Sequence, residues 1–328
     1  MIKVAMSNLS ITTRCNKQCP YCFAGDSRSE KATFGDMSRN TFHEALKYLK
    51  RSGIGQVRLL GGEPTLHGDF IWMLDQALLQ DFTVMIFSNG LMSSEVLDYL
   101  VSIPTEKIRV LLNTIHPLET NPRGIKQQRK TMAALGRKAM AGVNIYTRGQ
   151  DLDYLIDAVK DHDLFPEIRI GIAHPVLSGG NRYLMPKFYA QVGEGIVDLF
   201  FKAKQYGIRI GLDCGFVPCM FPTDMAKELK PLFEKSGVCC NPNLDLLPDG
   251  RFIACYPLNN MGQFPLTPET TALSLIQAFN EERSIYKDIG IFSHCRSCHL
   301  FKNGCHGGCL ALKMNRVHTR RTSAHAVP

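Results

Sequence analysis

The chain has 328 residues, 45% of them hydrophobic and 21% charged, with a formal net charge of +8. This is the profile of a soluble globular protein, long enough for a large core and for one large domain with an extension. No run approaches eighteen apolar residues, which excludes a membrane span, and Met1 to Arg14 lacks the apolar stretch and cleavage site of a secretory signal, so the expected location is the cytoplasm.

Taken in chain order, the first two-thirds alternates strands and helices. Ser7–Ile11 reads as a strand, and Ser38–Ser52 as a helix with Phe42, Ala45, Leu46 and Leu49 on one face. Ser38 caps its start and Gly53 ends it. Val57–Leu60 is the next strand and Asp69–Gln80 the next helix, with Phe70, Met73, Leu74, Ala77 and Leu78 grouped. The strand Thr83–Phe87, the helix Ser94–Ser102 and the strand Ile108–Leu112 follow, then a helix over Lys126–Ala141 and a strand at Val143–Tyr146. Leu152–His162 is helical, Ile168–Ala173 is a strand, and Pro186–Tyr206 is a long helix. Six β/α units in series predict an α/β fold with a parallel sheet, either doubly wound or an incomplete barrel. Chemistry in such barrels sits at the C-terminal ends of the strands.

After the strand Ile208–Leu212, cysteine, proline and glycine become frequent and helical periodicity fades, apart from a helix near Ala272–Asp288. Apolar burial alone does not hold so loop-rich a section, and metal sites would supply stability. The expected boundary lies near Gly207, dividing the chain into 1–207 and 208–328.

The chain has twelve cysteines and none lies between Cys22 and Cys214. Disulfides are disfavoured in a reducing compartment, so thiolate metal ligation is the better reading. The positive charge at first suggests nucleic acid. A cubane with four thiolates carries roughly −2, so several clusters would cancel much of it. Lys313, Arg316, Arg320 and Arg321 form a basic end without interleaved aromatics, read as solvated, so no nucleic-acid partner is expected.

Cys15, Cys19 and Cys22 form a C-x3-C-x2-C trio. Three thiolates hold three irons of a cubane and leave the fourth open for a ligand; a zinc site completed from elsewhere is the alternative. With Tyr21 before the third cysteine, the trio resembles the signature of the radical S-adenosylmethionine (SAM) superfamily. Gly61-Gly62-Glu63-Pro64, after the second strand, matches that family's SAM-binding motif, and its glycines allow close approach of a ligand. Ser88-Asn89-Gly90 resembles a further SAM-contacting turn, and Asn113 ends the fourth strand. Thr114, Tyr146, Arg148 and His174 are other polar residues at strand ends, which either face SAM or substrate or, read singly, meet solvent. The resemblance implies a partial TIM-like barrel, SAM and a 4Fe–4S cluster as cofactors, and a 5′-deoxyadenosyl radical that takes a hydrogen atom from substrate.

Cys240-x9-Gly250-x4-Cys255, followed by Cys295, Cys298, Cys305 and Cys309, resembles the SPASM extension of peptide-modifying members. That resemblance implies one or two auxiliary four-iron clusters, with Cys240, Cys255 and Cys309 in the first and Cys295, Cys298 and Cys305 in the second. No cysteine follows Cys309, so His318, His325 or an upstream cysteine would complete the second, unless it is left open. Cys239 adjoins Cys240 where the family has a more distant ligand, a place that Cys214 or Cys219 would fill. C-x2-C followed by Cys305, His306 and Cys309 also fits a zinc ribbon. Cys214 is alternatively a hydrogen-atom donor, and Asp213, if buried, a general base.

The expected activity is therefore radical SAM oxidation of a peptide or protein side chain, or of a small metabolite, fed by a flavodoxin- or ferredoxin-type reductant. Fourteen residues precede Cys15, leaving no room for an N-terminal peptide-recognition domain. A non-catalytic zinc or iron–sulfur protein and a molybdopterin-type cyclase are the alternatives.

Overall fold

The computed structural model describes residues 6–24, 35–119, 121–176, 180–225, 227–233 and 240–316. Strand β1 (Asn8–Thr12) leads to helix α1 (Arg39–Arg51), β2 (Gln56–Gly61), α2 (Phe70–Leu79), β3 (Thr83–Ser88), α3 (Ser94–Ser102) and β4 (Ile108–Asn113). The alternation continues with α4 (Pro122–Leu135), β5 (Ala139–Ile145), α5 (Tyr154–Asp161), β6 (Glu167–Ile172), α6 (Tyr189–Gln205) and β7 (Arg209–Leu212). These seven strands pair in parallel and in chain order. The fold is α/β, an open partial barrel: β7 lies at one end of the sheet and β10 at the other.

Period-two alternation sorts the strand side chains between two faces. Val57, Leu59, Val84, Ile86, Val110 and Leu112 are buried in the core, and each fully buried aliphatic side chain contributes about 1.5–3 kcal/mol. Their neighbours Arg58, Leu60, Phe87, Leu111 and Asn113 instead surround the concave face. Helix α1 follows its sequence pattern: the Ser38 hydroxyl accepts from Thr41 N–H at 3.0 Å, and Phe42, Ala45, Leu46 and Leu49 are buried.

The helix expected over Lys126–Ala141 differs at both ends. Asn121 caps it at the start, Pro122 occupies its first turn, and Gly136, at φ +48, stops it. Residues from Ala139 on are therefore free to join the sheet as β5. Pro186–Phe188 form a 3-10 turn ahead of α6.

The loop-rich section holds the short helix α7 (Lys230–Phe233), three short strands and helix α8 (Ala272–Arg283). Strand β8 (Asp245–Leu246) pairs in parallel with β1 and antiparallel with β9 (Arg251–Ile253), which pairs with β10 (Phe264–Pro265). Gly250, at φ +81, makes the β8–β9 turn, so the spacing between Cys240 and Cys255 frames a hairpin docked on the first barrel strand. Residues 310–316 are helical. Lys313 and Arg316 do not form a solvated end. Lys313 is buried, with its ammonium on the His306 carbonyl, and Arg316 donates to the Gly290 carbonyl at 2.9 Å. Arg320, Arg321, His318 and His325 lie outside the described residues. Among the described residues no helix is long and apolar enough to cross a membrane.

Candidate active site

The C-terminal ends of the parallel strands converge on a cavity of about 410 Å³. Cys15, Cys19 and Cys22, on the loop after β1, all line it, as do Gly61, Gly62, Ser88, Asn89 and Asn113. Tyr21 holds the cysteine loop to the barrel: its hydroxyl accepts from Asn113 Nδ2 at 3.1 Å, and its ring packs on Tyr146 with centroids 5.0 Å apart. Burial, with the neighbouring Cys19 thiolate, pushes the Tyr21 phenol well above its ordinary value.

The glycines serve an approach of backbone to backbone. A Cβ on Gly61 would collide with the Thr12 carbonyl oxygen, and one on Gly62 with that of Arg14. Gly62 N–H donates to Thr12 O at 2.8 Å and Glu63 N–H to Arg14 O at 2.7 Å. The turn after β2 is thereby stitched to the start of the cysteine loop.

Glu63 and Pro64 are buried and do not line the cavity. The Glu63 carboxylate is fully engaged: Oε1 accepts from Thr65 Oγ1 at 2.7 Å and Ser88 Oγ at 2.8 Å, and Oε2 from Asn89 N–H at 2.7 Å. Burial pushes its carboxyl above the usual range, and these bonds oppose that rise. Asn89 Nδ2 donates onward to Asn16 Oδ1 at 2.7 Å, back on the cysteine loop. Gln128 of α4, absent from the sequence reading, joins the next two strand ends by donating to the carbonyls of Asn89 at 2.7 Å and Asn113 at 2.9 Å.

Charged groups missed in the sequence form the inner wall. Arg58, Arg169 and Asp245 line the cavity, and Asp213 and Cys214 follow β7 at its rim. Asp213, expected as a general base if buried, is only part-buried and accepts a two-pronged bond from Arg169, with Nε at 2.7 Å. This pairing holds the Arg169 guanidinium in a fixed orientation at the cavity wall. Burial beside the like charge of Arg58 pushes the Arg169 guanidinium down to about 10. The Arg58 N–H groups rest on the sulfurs of Met6 and Met85 at 3.1 and 3.4 Å. Its Nε has no hydrogen-bond partner among the described residues. The signal was a lone arginine inside an apolar strand, at the inward phase of the alternation.

Asp245 is 3% exposed, accepts from Asn8 Nδ2 at 2.5 Å, and is pushed up by burial to about 7. A carboxyl raised in the folded state binds its proton more tightly there than in the unfolded chain. Its contribution is fully present below about pH 4 and is lost as pH rises toward 7, by at most about 1.4 kcal/mol per unit. Asp245→Asn, neutral throughout, is expected to melt near the wild type at pH 4 and above it at pH 7.5. Thermal scans at both pH values check this, and equal shifts at both would refute it.

The C-terminal cysteines gather in two places. Arg283 donates to Cys240 Sγ at 3.1 Å, and Cys240 and Cys309 are hydrogen-bonded neighbours whose charges both act on the half-buried Cys255. Arg283 and Lys313, two buried cations, flank this set. Buried cations of this kind need anionic partners. Cys295, Cys298 and Cys305 form the second set, Cys295 and Cys298 being nearby charges acting on Cys305. Cys219 lies with this second set rather than with Cys240. Cys214 lines the cavity together with Cys255. Cys239 lies outside the described residues.

Among the described residues no three His, Cys, Asp or Glu side chains are gathered to hold one metal ion. Zinc draws its ligands to within about 2.3 Å of one centre. A four-iron cluster binds each thiolate through a different iron and keeps the sulfurs farther apart. The donor chemistry of the trio, three thiolates on one loop facing a cavity rimmed by backbone and amide groups, fits a cluster with one open iron.

The Radical SAM superfamily matches residues 9–161. An 84-residue stretch is 37% identical to the S-adenosylmethionine-dependent nucleotide dehydratase of Selenomonas ruminantium, covering 25% of this chain and 29% of that one. Over 168 residues the chain is 27% identical to the GTP 3′,8-cyclase of Limosilactobacillus fermentum, covering 48% of this chain and 51% of that one. The matches thus span about half or less of these relatives' length. The fold is similar to that of Streptococcus suis SuiB bound to S-adenosylmethionine, with a TM-score of 0.69 and 16% identity over 94% of this chain and 74% of that one. Residues 9–161 are thus a radical SAM domain, and SAM and a 4Fe–4S cluster are the cofactors of that domain.

Proposed function

We propose that this protein is a radical SAM oxidoreductase of the SPASM type, with residues 1–207 as the radical-generating barrel and 208–328 as the auxiliary-cluster region. The observation that carries this reading is the shared cavity: Cys15, Cys19 and Cys22 line it from one side, and Cys214 and Cys255 also reach it. When bound, the trio's cluster and SAM supply a 5′-deoxyadenosyl radical that takes a hydrogen atom, and an auxiliary cluster at Cys240, Cys255 and Cys309 supplies an electron acceptor. A flavodoxin- or ferredoxin-type protein is the reductant class.

The protein's own groups bind, orient and shield. Gly61, Gly62, Ser88, Asn89 and Asn113 present backbone and amide groups to SAM beside the trio. Glu63 fixes the turns that carry them, and Tyr21 closes the loop against Asn113. Asp213 holds Arg169 toward the cavity. Cys214, an exposed thiol on the cavity wall, is the candidate donor for a separate, redox-neutral outcome, in which its S–H gives a hydrogen atom to the substrate radical and the product keeps its mass, the resulting thiyl being re-reduced by the external reductant.

A peptide or protein side chain is the leading substrate class, supported by the C-terminal cysteine pattern and by the likeness to SuiB, whose structure is also known bound to precursor peptide SuiA. A second reading has its own support. Arg58 and Arg169 give the cavity two guanidinium groups, which suit a small phosphate- or carboxylate-bearing metabolite. The test incubates reconstituted, reduced protein with SAM and either candidate peptides or nucleotides, followed by mass spectrometry. Oxidation appears as a product lighter by two hydrogen atoms, one carried off by deoxyadenosine and one released as a proton with its electron. Absence of SAM cleavage under reduction would sink the enzyme reading. In the Cys214→Ala arm, iron, SAM cleavage and any oxidised product are expected to hold, while mass-neutral product, read as deuterium taken up from D2O, falls about tenfold. Unchanged deuterium uptake would remove the hydrogen-donor role.

A further inference from the structure

We infer that Cys219 is the fourth thiolate of the second auxiliary site, joining Cys295, Cys298 and Cys305 from upstream. This inference rests on the auxiliary-cluster reading above and assigns the ligand that the sequence lacks, since no cysteine follows Cys309.

Helix α6 is the platform that brings the two segments together. Cys219 sits in the 3-10 turn Pro218–Met220, just after β7. That turn presses on α6 so closely that a Cβ on Gly193 would collide with the Met220 carbonyl oxygen. One helical turn earlier, Tyr189 is 1% exposed and packs edge-on against Phe292, with centroids 6.0 Å apart and planes at 85°. Phe292 precedes the turn Ser293–Ser297, which carries Cys295. Residues 189 and 193 lie on one face of the helix, so the two segments meet along one stripe of α6.

The remaining cysteines are drawn in by local backbone bonds. Cys298 N–H donates to the Cys295 carbonyl at 3.3 Å, and Cys305 Sγ accepts from Gly307 N–H at 3.3 Å. Gly290 gives room for Cys295, because a Cβ there would strike its sulfur. The electrostatics agree with the packing. The cysteines whose charges reach the exposed Cys219 sulfur are Cys305, Cys295 and Cys298. None of the first set, Cys240, Cys255 or Cys309, is among them. Four thiolates held near one another without an ion repel; a four-iron core relieves that by binding each through its own iron.

The arrangement explains how a chain with nothing after Cys309 closes the second site. A cysteine 76 residues before Cys295 takes the place, carried there by the strand β7 and the helix beneath it.

The test uses the full chain, reconstituted anaerobically, and reads iron, sulfide and electron paramagnetic resonance. Wild type is expected to hold about twelve irons, and Cys219→Ala either about eight or an oxidised three-iron signal. The Cys15/Cys19/Cys22→Ala background gives the same contrast without the SAM cluster. If wild type holds only about four irons, the auxiliary-cluster reading itself fails. If wild type holds about twelve and Cys219→Ala keeps them with an unchanged spectrum, that reading stands and the assignment of Cys219 falls. Should Cys219→Ala lose its far-ultraviolet circular dichroism, Cys219→Ser decides. A shifted reduced-state spectrum supports ligation, and a wild-type spectrum overturns it.

Discussion

Replacing Cys15, Cys19 and Cys22 together with alanine is expected to lower 5′-deoxyadenosine release by about a hundredfold or more, a barrier cost of ~2.7 kcal/mol, while leaving roughly two-thirds of the iron. The separation follows from the fold. The trio sits on the loop after β1, whereas the other described cysteines lie beside β7, the β8–β9 hairpin, α6 and the 310–316 helix. Of the other described cysteines, only Cys255 and Cys214 reach the same cavity as the trio. The loop is also held by bonds that do not involve sulfur, including Gly62 N–H to Thr12 O and Asn89 Nδ2 to Asn16 Oδ1. The variant should therefore fold and keep its auxiliary sites. Iron and sulfide counts, with dithionite-driven deoxyadenosine assays, check this. Loss of all iron would mean that the three sites assemble as one unit. Full deoxyadenosine release would place SAM cleavage elsewhere and end the assignment of the trio.

Much of the site is legible in the sequence because it is local. The trio, Gly61-Gly62-Glu63-Pro64 and Ser88-Asn89 each fit within a few residues after a strand, and the barrel rule brings strand ends together. What a motif does not carry is the direction of a side chain. Glu63 stands within the SAM motif, yet its carboxylate turns away from the cavity to bind Thr65, Ser88 and Asn89. Gly61 and Gly62 are needed for closeness, but the partner is the Thr12–Arg14 backbone. Arg58 and Arg169 could have been read as inward-facing from their place among apolar strand neighbours; that they share one wall depends on strands distant in sequence. Gly136 marked the end of α4 in plain view, and helical propensity around it masked the stop. Distance along the chain also hides the grouping of Cys219 with Cys295, Cys298 and Cys305, since only the packing of two segments on α6 creates it.

Glu63 offers the sharpest test of structure against motif. Its carboxylate is 1% exposed and meets only donors: two hydroxyls at Oε1 and a backbone N–H at Oε2. Thr65 N–H adds a longer contact to Oε1 at 3.3 Å. In Glu63→Gln one of the acceptor oxygens becomes an amide donor. If that amide faces Asn89, two N–H groups oppose one another. If it faces the hydroxyls, both must rotate, although Ser88 Oγ already accepts from Gly90 N–H at 2.9 Å. Either arrangement leaves a buried donor unmatched, at about 1–3 kcal/mol. Glu63→Ala leaves all the donors unmatched and adds a cavity, so a loss of about 3–5 kcal/mol is expected. The strained turn carries Ser88 and Asn89, hence SAM affinity should fall about tenfold in Glu63→Gln, in step with the melting temperature, while iron is retained. Calorimetric titration with SAM and thermal scans on the reconstituted protein measure the two together. A variant that melts like wild type yet loses SAM would mean that Glu63 touches the cofactor directly. Parallel losses would establish it as the brace that ties the β2 and β3 turns into one SAM-binding edge.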